Sequence, residues 1–221
     1  MIALVAGGTG LTGRALLEHL RQTPGITAIR ALVRRAGALA DVEGVEEIVL
    51  PDSGFTALHR SDDPRLTADI YLCALGTTLK KAGSREAFRA VDEAAILAVA
   101  RLCEARVGQA FGLVSSSGAN SASAIFYSRV KGEVDAAVQA LAIPRVIIAR
   151  PSLLVGDRAK LGDSRPSEAL AVATWRALAP WMPRVLARRL GTPVEAVAAR
   201  LVAEVLEKEP GRRVIEAGEL G

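Results

Sequence analysis

Ile2-Ala3-Leu4-Val5-Ala6-Gly7-Gly8-Thr9-Gly10-Leu11-Thr12-Gly13 decides the fold. The apolar run Ile2 to Ala6 reads as a buried parallel strand. After Gly13 comes Arg14-Ala15-Leu16-Leu17-Glu18-His19-Leu20-Arg21, whose apolar positions recur at helical spacing. Strand, glycine-rich loop, helix is the context in which glycines mark a phosphate site. Glycine turns the chain tightly with positive φ and lets a pyrophosphate approach the backbone. The helix start adds unpaired N–H groups and the positive end of its dipole. The loop fits two spacings, Gly8-x-Gly10-x-x-Gly13, the dinucleotide fingerprint, and Gly7-x-x-Gly10-x-x-Gly13. A merely tight turn does not need four glycines in seven residues. No Gly-Lys-Ser/Thr follows, which excludes a Walker loop. Gly7, Thr9, Gly10, Leu11, Thr12 and Gly13 are the expected pyrophosphate-binding residues.

Working outward, Pro24-Gly25 ends the first helix and residues 26–33 form a second strand that runs into Arg34-Arg35. In NAD-specific folds an acidic residue near this point binds the ribose 2′-hydroxyl. Two arginines stand here instead, and a guanidinium pairs well with a 2′-phosphate. The expectation is NADPH or NADP, with Arg34 and Arg35 as its readers; the bland alternative is two solvated surface arginines. Further strands are expected over 45–50, 68–75, 110–114 and 145–150, and helices over 84–106 and 127–141. This alternation predicts an α/β fold, a Rossmann-type doubly wound, mostly parallel sheet with helices on both faces. The fourth strand runs out at Leu75-Gly76 and the sixth at Pro151, the carboxyl edge where such sheets bind ligands, so these three residues join the cofactor list. Leu79 to Ser84 is polar and reads as mobile. The whole chain, 1–221, reads as one dinucleotide-binding domain. Its small C-terminal extension, 151–193, is expected to build the substrate pocket. Trp175 lies on an apolar helix in that extension. Arg158 or Arg165 either pairs with an acidic group of the substrate or faces solvent beside Asp157 or Asp163. A packing helix (194–207) and a last strand (213–217) close the chain.

Tyr127-Ser-Arg-Val-Lys131 places a phenol and an ammonium at i and i+4, on one face of a helix. A free phenol has a pKa near ~10, and a neighbouring ammonium favours its ionised form. Tyr127 is therefore the expected acid–base group at a carbonyl oxygen. Lys131 is the group that assists it and also holds the ribose of the nicotinamide half. Ser116, eleven residues upstream, stands at the mouth of the fifth strand and is assigned to the same oxygen. Ser115 is the near alternative and a cofactor contact. A Tyr-x-x-x-Lys spacing alone is common and can be a surface pair; the serine-tipped strand and the glycine loop give it weight.

The order Gly-x-x-Gly-x-x-Gly, serine after the fifth strand, then Tyr-x-x-x-Lys resembles the short-chain dehydrogenase/reductase superfamily. The finer resemblance is to its atypical branch that includes the Tat-interacting-protein-like oxidoreductases. It rests on Cys73-Ala-Leu-Gly-Thr-Thr-Leu-Lys-Lys-Ala-Gly-Ser84, on Leu113-Val-Ser-Ser-Ser-Gly-Ala119 and on Tyr127-Ser-Arg-Val-Lys-Gly-Glu-Val134. Weaker echoes occur at Arg150-Pro-Ser-Leu-Leu and from Asp157-Arg158 to Ser164-Arg165-Pro166. The resemblance implies an NADPH-binding Rossmann fold with a Ser-Tyr-Lys site. It names no substrate. More distantly the chain is similar to nucleotide-sugar epimerases and to regulators that bind NADP without turnover; it is shorter than the epimerases after the sixth strand.

Composition narrows the partners. Half of the residues are hydrophobic, enough for a sizeable core, and 4% are aromatic, too few for base-stacking platforms. The formal charge of +4 is scattered, with no basic arm for nucleic acid. No stretch reaches the ~18 apolar residues of a membrane span, and Met1 runs straight into the first strand, leaving no room for a signal peptide. Cys73 and Cys103 sit in apolar patterns and read as buried thiols of a reducing compartment. No metal site is expected: His19 and His59 have no sequence partners, and Asp62-Asp63 reads as a turn. Trp175, Trp181 and Met182 read as core, pocket wall or dimer surface. The expectation is a cytoplasmic NADPH-dependent reductase of a small carbonyl or quinone, monomeric or homodimeric. The rivals are an NADPH-binding redox sensor without turnover and an epimerase-like enzyme.

Overall fold

The computed structural model describes residues 1–50, 54, 55, 58, 61–156 and 191–220. The apolar runs become strands β1 (Ile2–Ala6), β2 (Ala28–Val33), β3 (Val45–Val49), β4 (Ile70–Cys73), β5 (Ala110–Val114) and β6 (Arg145–Arg150). With β9 (Gly211–Glu216) they form a seven-stranded sheet in the order β3-β2-β1-β4-β5-β6-β9. Every pairing is parallel. The chain steps outward from β1 to β3, returns to β4 beside β1, and then steps outward the other way. That reversal opens a crevice at the carboxyl ends of β1 and β4, the place where such sheets take ligands.

Two layers of helices cover the sheet. Helix α1 (Leu11–Arg21) and helix α6 (Val194–Leu206) bury Leu16, Leu17, Leu20, Val197, Leu201 and Val205 against one face. Helices α4 (Ile96–Ala105) and α5 (Phe126–Gln139) bury Ile96, Val99, Leu102, Val134 and Val138 against the other. Residues of a strand alternate between the two layers. In β5, Phe111 and Leu113 join the α4/α5 layer, while Ala110 and Val114 join the α1/α6 layer. Gly112 lets α6 come close: a Cβ there would stand 3.0 Å from Val205 Cγ1 and 3.2 Å from Leu201 Cδ1.

Three expectations change. The segment after β4, expected as a polar, mobile stretch, carries a short helix, α2 (Leu79–Ala82). Thr78 caps it by accepting from the Lys81 amide, Gly83 ends it at φ +82°, and Ser84 caps the next helix, α3 (Arg85–Arg89). The single long helix expected over 84–106 is α3, then a π-helical turn at Ala90–Ala95, then α4. The wider turn shifts the inward stripe by a residue: Val91 and Leu97 are half-buried, while Asp92, Ile96 and Val99 are buried. A two-stranded parallel sheet, β7 (Leu153–Val155) with β8 (Gly191–Pro193), was not foreseen, because runs this short carry no periodicity. The Ser152 and Thr192 hydroxyls, 3.0 Å apart, pin it. Of the expected pocket segment 151–193, residues 157–190 lie outside the described residues, with Arg158, Arg165, Trp175, Trp181 and Met182 among them. His59 lies outside them too.

Candidate active site

At the carboxyl end of β1 the glycines are required by backbone. Gly7 has φ +84°, and a Cβ there would lie 2.7 Å from the Ala74 carbonyl carbon and 2.9 Å from the Leu75 amide nitrogen. A Cβ on Gly13 would lie 2.0 Å from Gly7 O. The loop is thus pressed between the end of β4 and the start of α1. Gly10 donates to Gly7 O at 3.0 Å and caps α1 without a side-chain hydrogen bond. No acidic residue occupies the first turn. Thr9 and Gly10 are exposed, Leu11 is half-buried, and Thr12 and Gly13 are buried. A helix start left uncapped, with no negative charge beside it, suits an anion. Leu75, half-buried, and Gly76 follow β4 at the same edge.

Arg34 and Arg35 follow β2 directly, exposed and without a carboxylate partner among the described residues. The turn after them is held from both sides. The Glu47 carboxylate on β3 accepts from the Gly37 and Leu39 amides, the first at 2.6 Å. Arg14 on α1 forks onto Asp41 at 2.6 and 3.1 Å. Sequence reading missed Glu47 and Asp41, which act across sequence gaps that no local pattern marks.

The other half of the site is built from side chains on α5. Tyr127, Lys131 and Asp135 follow one another at four-residue steps along one face. Tyr127 is half-buried, with its ring 5.6 Å from that of Phe88 on α3. Lys131 is buried, and its Nζ stands 2.6 Å from Oδ1 of Asp92, which is fully buried in the π-helical turn. Asp92 Oδ2 accepts from the Thr77 amide at 2.7 Å. A Cβ on Gly76 would stand 3.5 Å from Asp92 Oδ1 and 3.8 Å from Lys131 Nζ, so the loop after β4 lies directly on this ion pair. Asp92 was not singled out from the sequence; its one signal is a lone carboxylate inside an otherwise apolar stripe. The chain's other tyrosine, Tyr71, is structural. Its hydroxyl donates to Leu66 O and accepts from the Ala68 amide, and burial pushes its pKa up to about 12.

The three serines after β5 occupy different places. Ser115 is buried on the α5 side, its hydroxyl facing Asp135. Strand alternation turns the hydroxyl toward α5. Ser116 is half-buried and donates to Ser117 O at 3.3 Å. Ser117 is exposed, and its amide donates to the Pro151 carbonyl at 2.8 Å. Gly132 on α5 brings the rest of the loop against the helix, since a Cβ there would lie 2.1 Å from the Ser121 amide nitrogen. Burial pushes the Cys73 thiol up to about 12, and Cys103 is raised for the same reason; both are free thiols buried in the core. Among the described residues no helix is long and apolar enough to cross a membrane, and no cluster of His, Cys, Asp or Glu could hold a metal ion.

The chain is 35% identical over 172 residues to the mitochondrial protein fmp52 of Emericella nidulans, covering 77% of this chain and 72% of that protein. It is 33% identical over 167 residues to protein HTATIP2 of Rattus norvegicus, covering 76% and 67%. The chain belongs to the FMP52/HTATIP2 family of atypical short-chain dehydrogenases/reductases. No protein-family model matches it. Among solved structures, the Bordetella bronchiseptica enzyme WbmG in complex with NAD superposes with a TM-score of 0.70 at 16% identity, covering 99% of this chain and 73% of WbmG. That likeness establishes the Rossmann-type fold. The expectation of a cytoplasmic protein does change: FMP52 relatives from several fungi are named mitochondrial. The early start of β1 carries no information about location.

Proposed function

We propose that this FMP52/HTATIP2-family chain is an NADPH-dependent oxidoreductase that reduces a small carbonyl or quinone compound. The observation that carries it is the buried Lys131–Asp92 pair, one helical turn from the half-exposed Tyr127 and in contact with the loop after β4. This geometry joins a proton-handling side chain to the ligand-binding edge of the sheet. The glycine loop fits a pyrophosphate, since its close backbone approaches leave the α1 start uncapped. WbmG, of the same fold, was solved with NAD, which supports a dinucleotide in the crevice. Arg34 and Arg35 support the 2′-phosphorylated form. The bound cofactor supplies the hydride.

The chain's own residues do the rest. Gly7 to Gly13 hold the pyrophosphate; Leu75, Gly76 and Pro151 line the edge; Lys131 holds ribose hydroxyls. Tyr127 gives its phenolic proton to the substrate oxygen. Ser116 donates a hydrogen bond to that oxygen. Ser117 is the alternative, because its amide bond to Pro151 continues the β5 pleat on the α5 side. The test is NADPH oxidation by the purified protein across aldehydes, ketones and quinones, with Tyr127→Phe alongside. We expect turnover that Tyr127→Phe lowers at least 100-fold while NADPH affinity is unchanged. Tight NADPH binding with no turnover of any compound would support a redox sensor instead. A Tyr127→Phe protein with full activity would remove the assigned role.

A further inference from the structure

Three buried side-chain oxygens lack a hydrogen bond of good geometry among the described residues: Asp92 Oδ1, Ser115 Oγ and Asp135 Oδ1. Lys131 accounts for the first. The other two belong to buried residues on either side of the junction of β5 and α5, where Ser115 pulls the Asp135 carboxyl down against the upward push of burial. Asp135 is buried, and its Oδ2 accepts from Arg150 Nε at 2.9 Å. Arg150, at the end of β6, also donates from Nη1 to Glu216 Oε1 at 3.1 Å, at the end of β9. One buried carboxylate therefore laces together the carboxyl ends of β5, β6 and β9.

Stability alone does not explain this choice of residues. A buried ion pair is often no better for stability than apolar packing of the same size. Burial pushes the Asp135 carboxyl up, while Ser115 and Arg150 act in the opposite direction. The network does sit directly beneath the serine loop. Strand alternation sends Ser115, like Phe111 and Leu113, to the α5 side. The partner it meets there, Asp135, lies two turns beyond Tyr127, about 12 Å along the helix axis. Above Ser115 the loop is tied twice more, by the Ser117 amide to Pro151 O at 2.8 Å and by the Asn120 amide to Ser128 O at 2.9 Å. The first of these ties lies on the residue that follows Arg150.

We propose that Asp135 is a positioning residue for the substrate-side serine loop. It takes Ser115 as an anchor and, through Arg150, sets the height of Ser116 and Ser117 relative to Tyr127. The inference rests on the reductase reading for its catalytic consequence but not for its structural one, so the test has two arms. The first is amide hydrogen exchange on the full chain for Asp135→Asn and Ser115→Ala. We expect exchange at residues 116–120 at least 10-fold faster in Asp135→Asn, and less so in Ser115→Ala, with the middle of α5 and β6 unchanged. Unchanged exchange at 116–120, or loosening spread evenly through α5 and β6, would overturn the proposal. The second arm is steady-state reduction of 9,10-phenanthrenequinone with NADPH. We expect kcat at least 10-fold lower in Asp135→Asn with the KM for NADPH within twofold of the unmodified protein. Equal kcat, or kcat and KM for NADPH worsening together, would overturn it. If the unmodified protein does not turn this quinone over, the reductase reading is what suffers, and the exchange arm still decides the role of Asp135.

Discussion

The carboxyl end of β1 holds backbone against backbone, whereas the end of β5 holds side chain against side chain. At β1, Gly7 and Gly13 exist to let three stretches of main chain touch, and α1 begins with its amides uncapped. At β5, Gly132 brings a loop of small residues against α5, Asp135 pairs with Arg150, and the neighbouring Lys131 pairs with Asp92. The first half can take any ligand with a suitable anion, because amides and a helix dipole recognise charge and little else. The second half places particular functional groups at particular heights. Under the proposed function, the first half serves a common cofactor and the second an individual substrate. Each half should fail in its own way.

The largest effect is expected at the glycine loop. Gly13→Ala puts a Cβ 2.0 Å from Gly7 O, and no rotamer can relieve a clash with backbone. We expect both a lower melting temperature and loss of detectable NADPH binding. Gly10→Ala makes the distinction sharper. Its nearest neighbour would be Gly7 O at 3.4 Å, an ordinary contact, so the fold should be untouched. If a pyrophosphate closes onto this loop, NADPH affinity still falls at least 10-fold by calorimetry. A Gly10→Ala protein that binds NADPH normally would show that the loop is tight only for its own packing.

Next in size is the buried pair of the other half. Lys131→Met leaves Asp92 charged, fully buried and unpaired. Removing one partner of a buried pair costs roughly 3–5 kcal/mol, which urea unfolding can read. Lys131→Met combined with Asp92→Asn removes the stranded charge and keeps an acceptor for the Thr77 amide. That double variant should regain most of the stability and none of the turnover. If stability and turnover return together, Lys131 serves the fold and not the reaction.

The two halves were also unequally legible. The alternation of strands and helices, both helical layers and the glycine loop follow from local patterns, because apolar periodicity and glycine spacing are properties of neighbouring residues. Tyr127 and Lys131 were legible for the same reason, being one helical turn apart. Asp92 and Asp135 were not: each is an isolated carboxylate whose meaning comes from a partner on another element, Lys131 on α5 and Arg150 on β6. The π-helical turn that carries Asp92 leaves no mark in composition. The choice between Ser115 and Ser116 stayed open because adjacent serines differ only in which side of the sheet each one faces.

The smallest effect is expected at Arg34 and Arg35, and it tests whether the cofactor half carries any specificity at all. Backbone amides bind the pyrophosphate of NADPH and NADH alike, so discrimination has to come from side chains at the far end of the dinucleotide. Both arginines follow β2 directly, exposed and without a carboxylate partner among the described residues, and the proposed function gives them that task. The turn behind them is fixed independently, by Glu47 on the Gly37 and Leu39 amides and by Arg14 on Asp41. Removing the guanidiniums should therefore leave the turn in place. A hydrogen bond to a charged group contributes about 1.5–3 kcal/mol, reduced here by solvent exposure and salt screening. Arg34→Ala with Arg35→Ala should weaken NADPH binding by roughly 1–3 kcal/mol, about 5- to 150-fold, and leave NADH binding within twofold. The loss should shrink as salt is raised, since the contact is one of exposed charges. If the unmodified protein binds the two cofactors equally, or if the double variant loses both to the same extent, the arginines are surface residues. The cofactor half would then select for a dinucleotide without distinguishing its phosphorylated form.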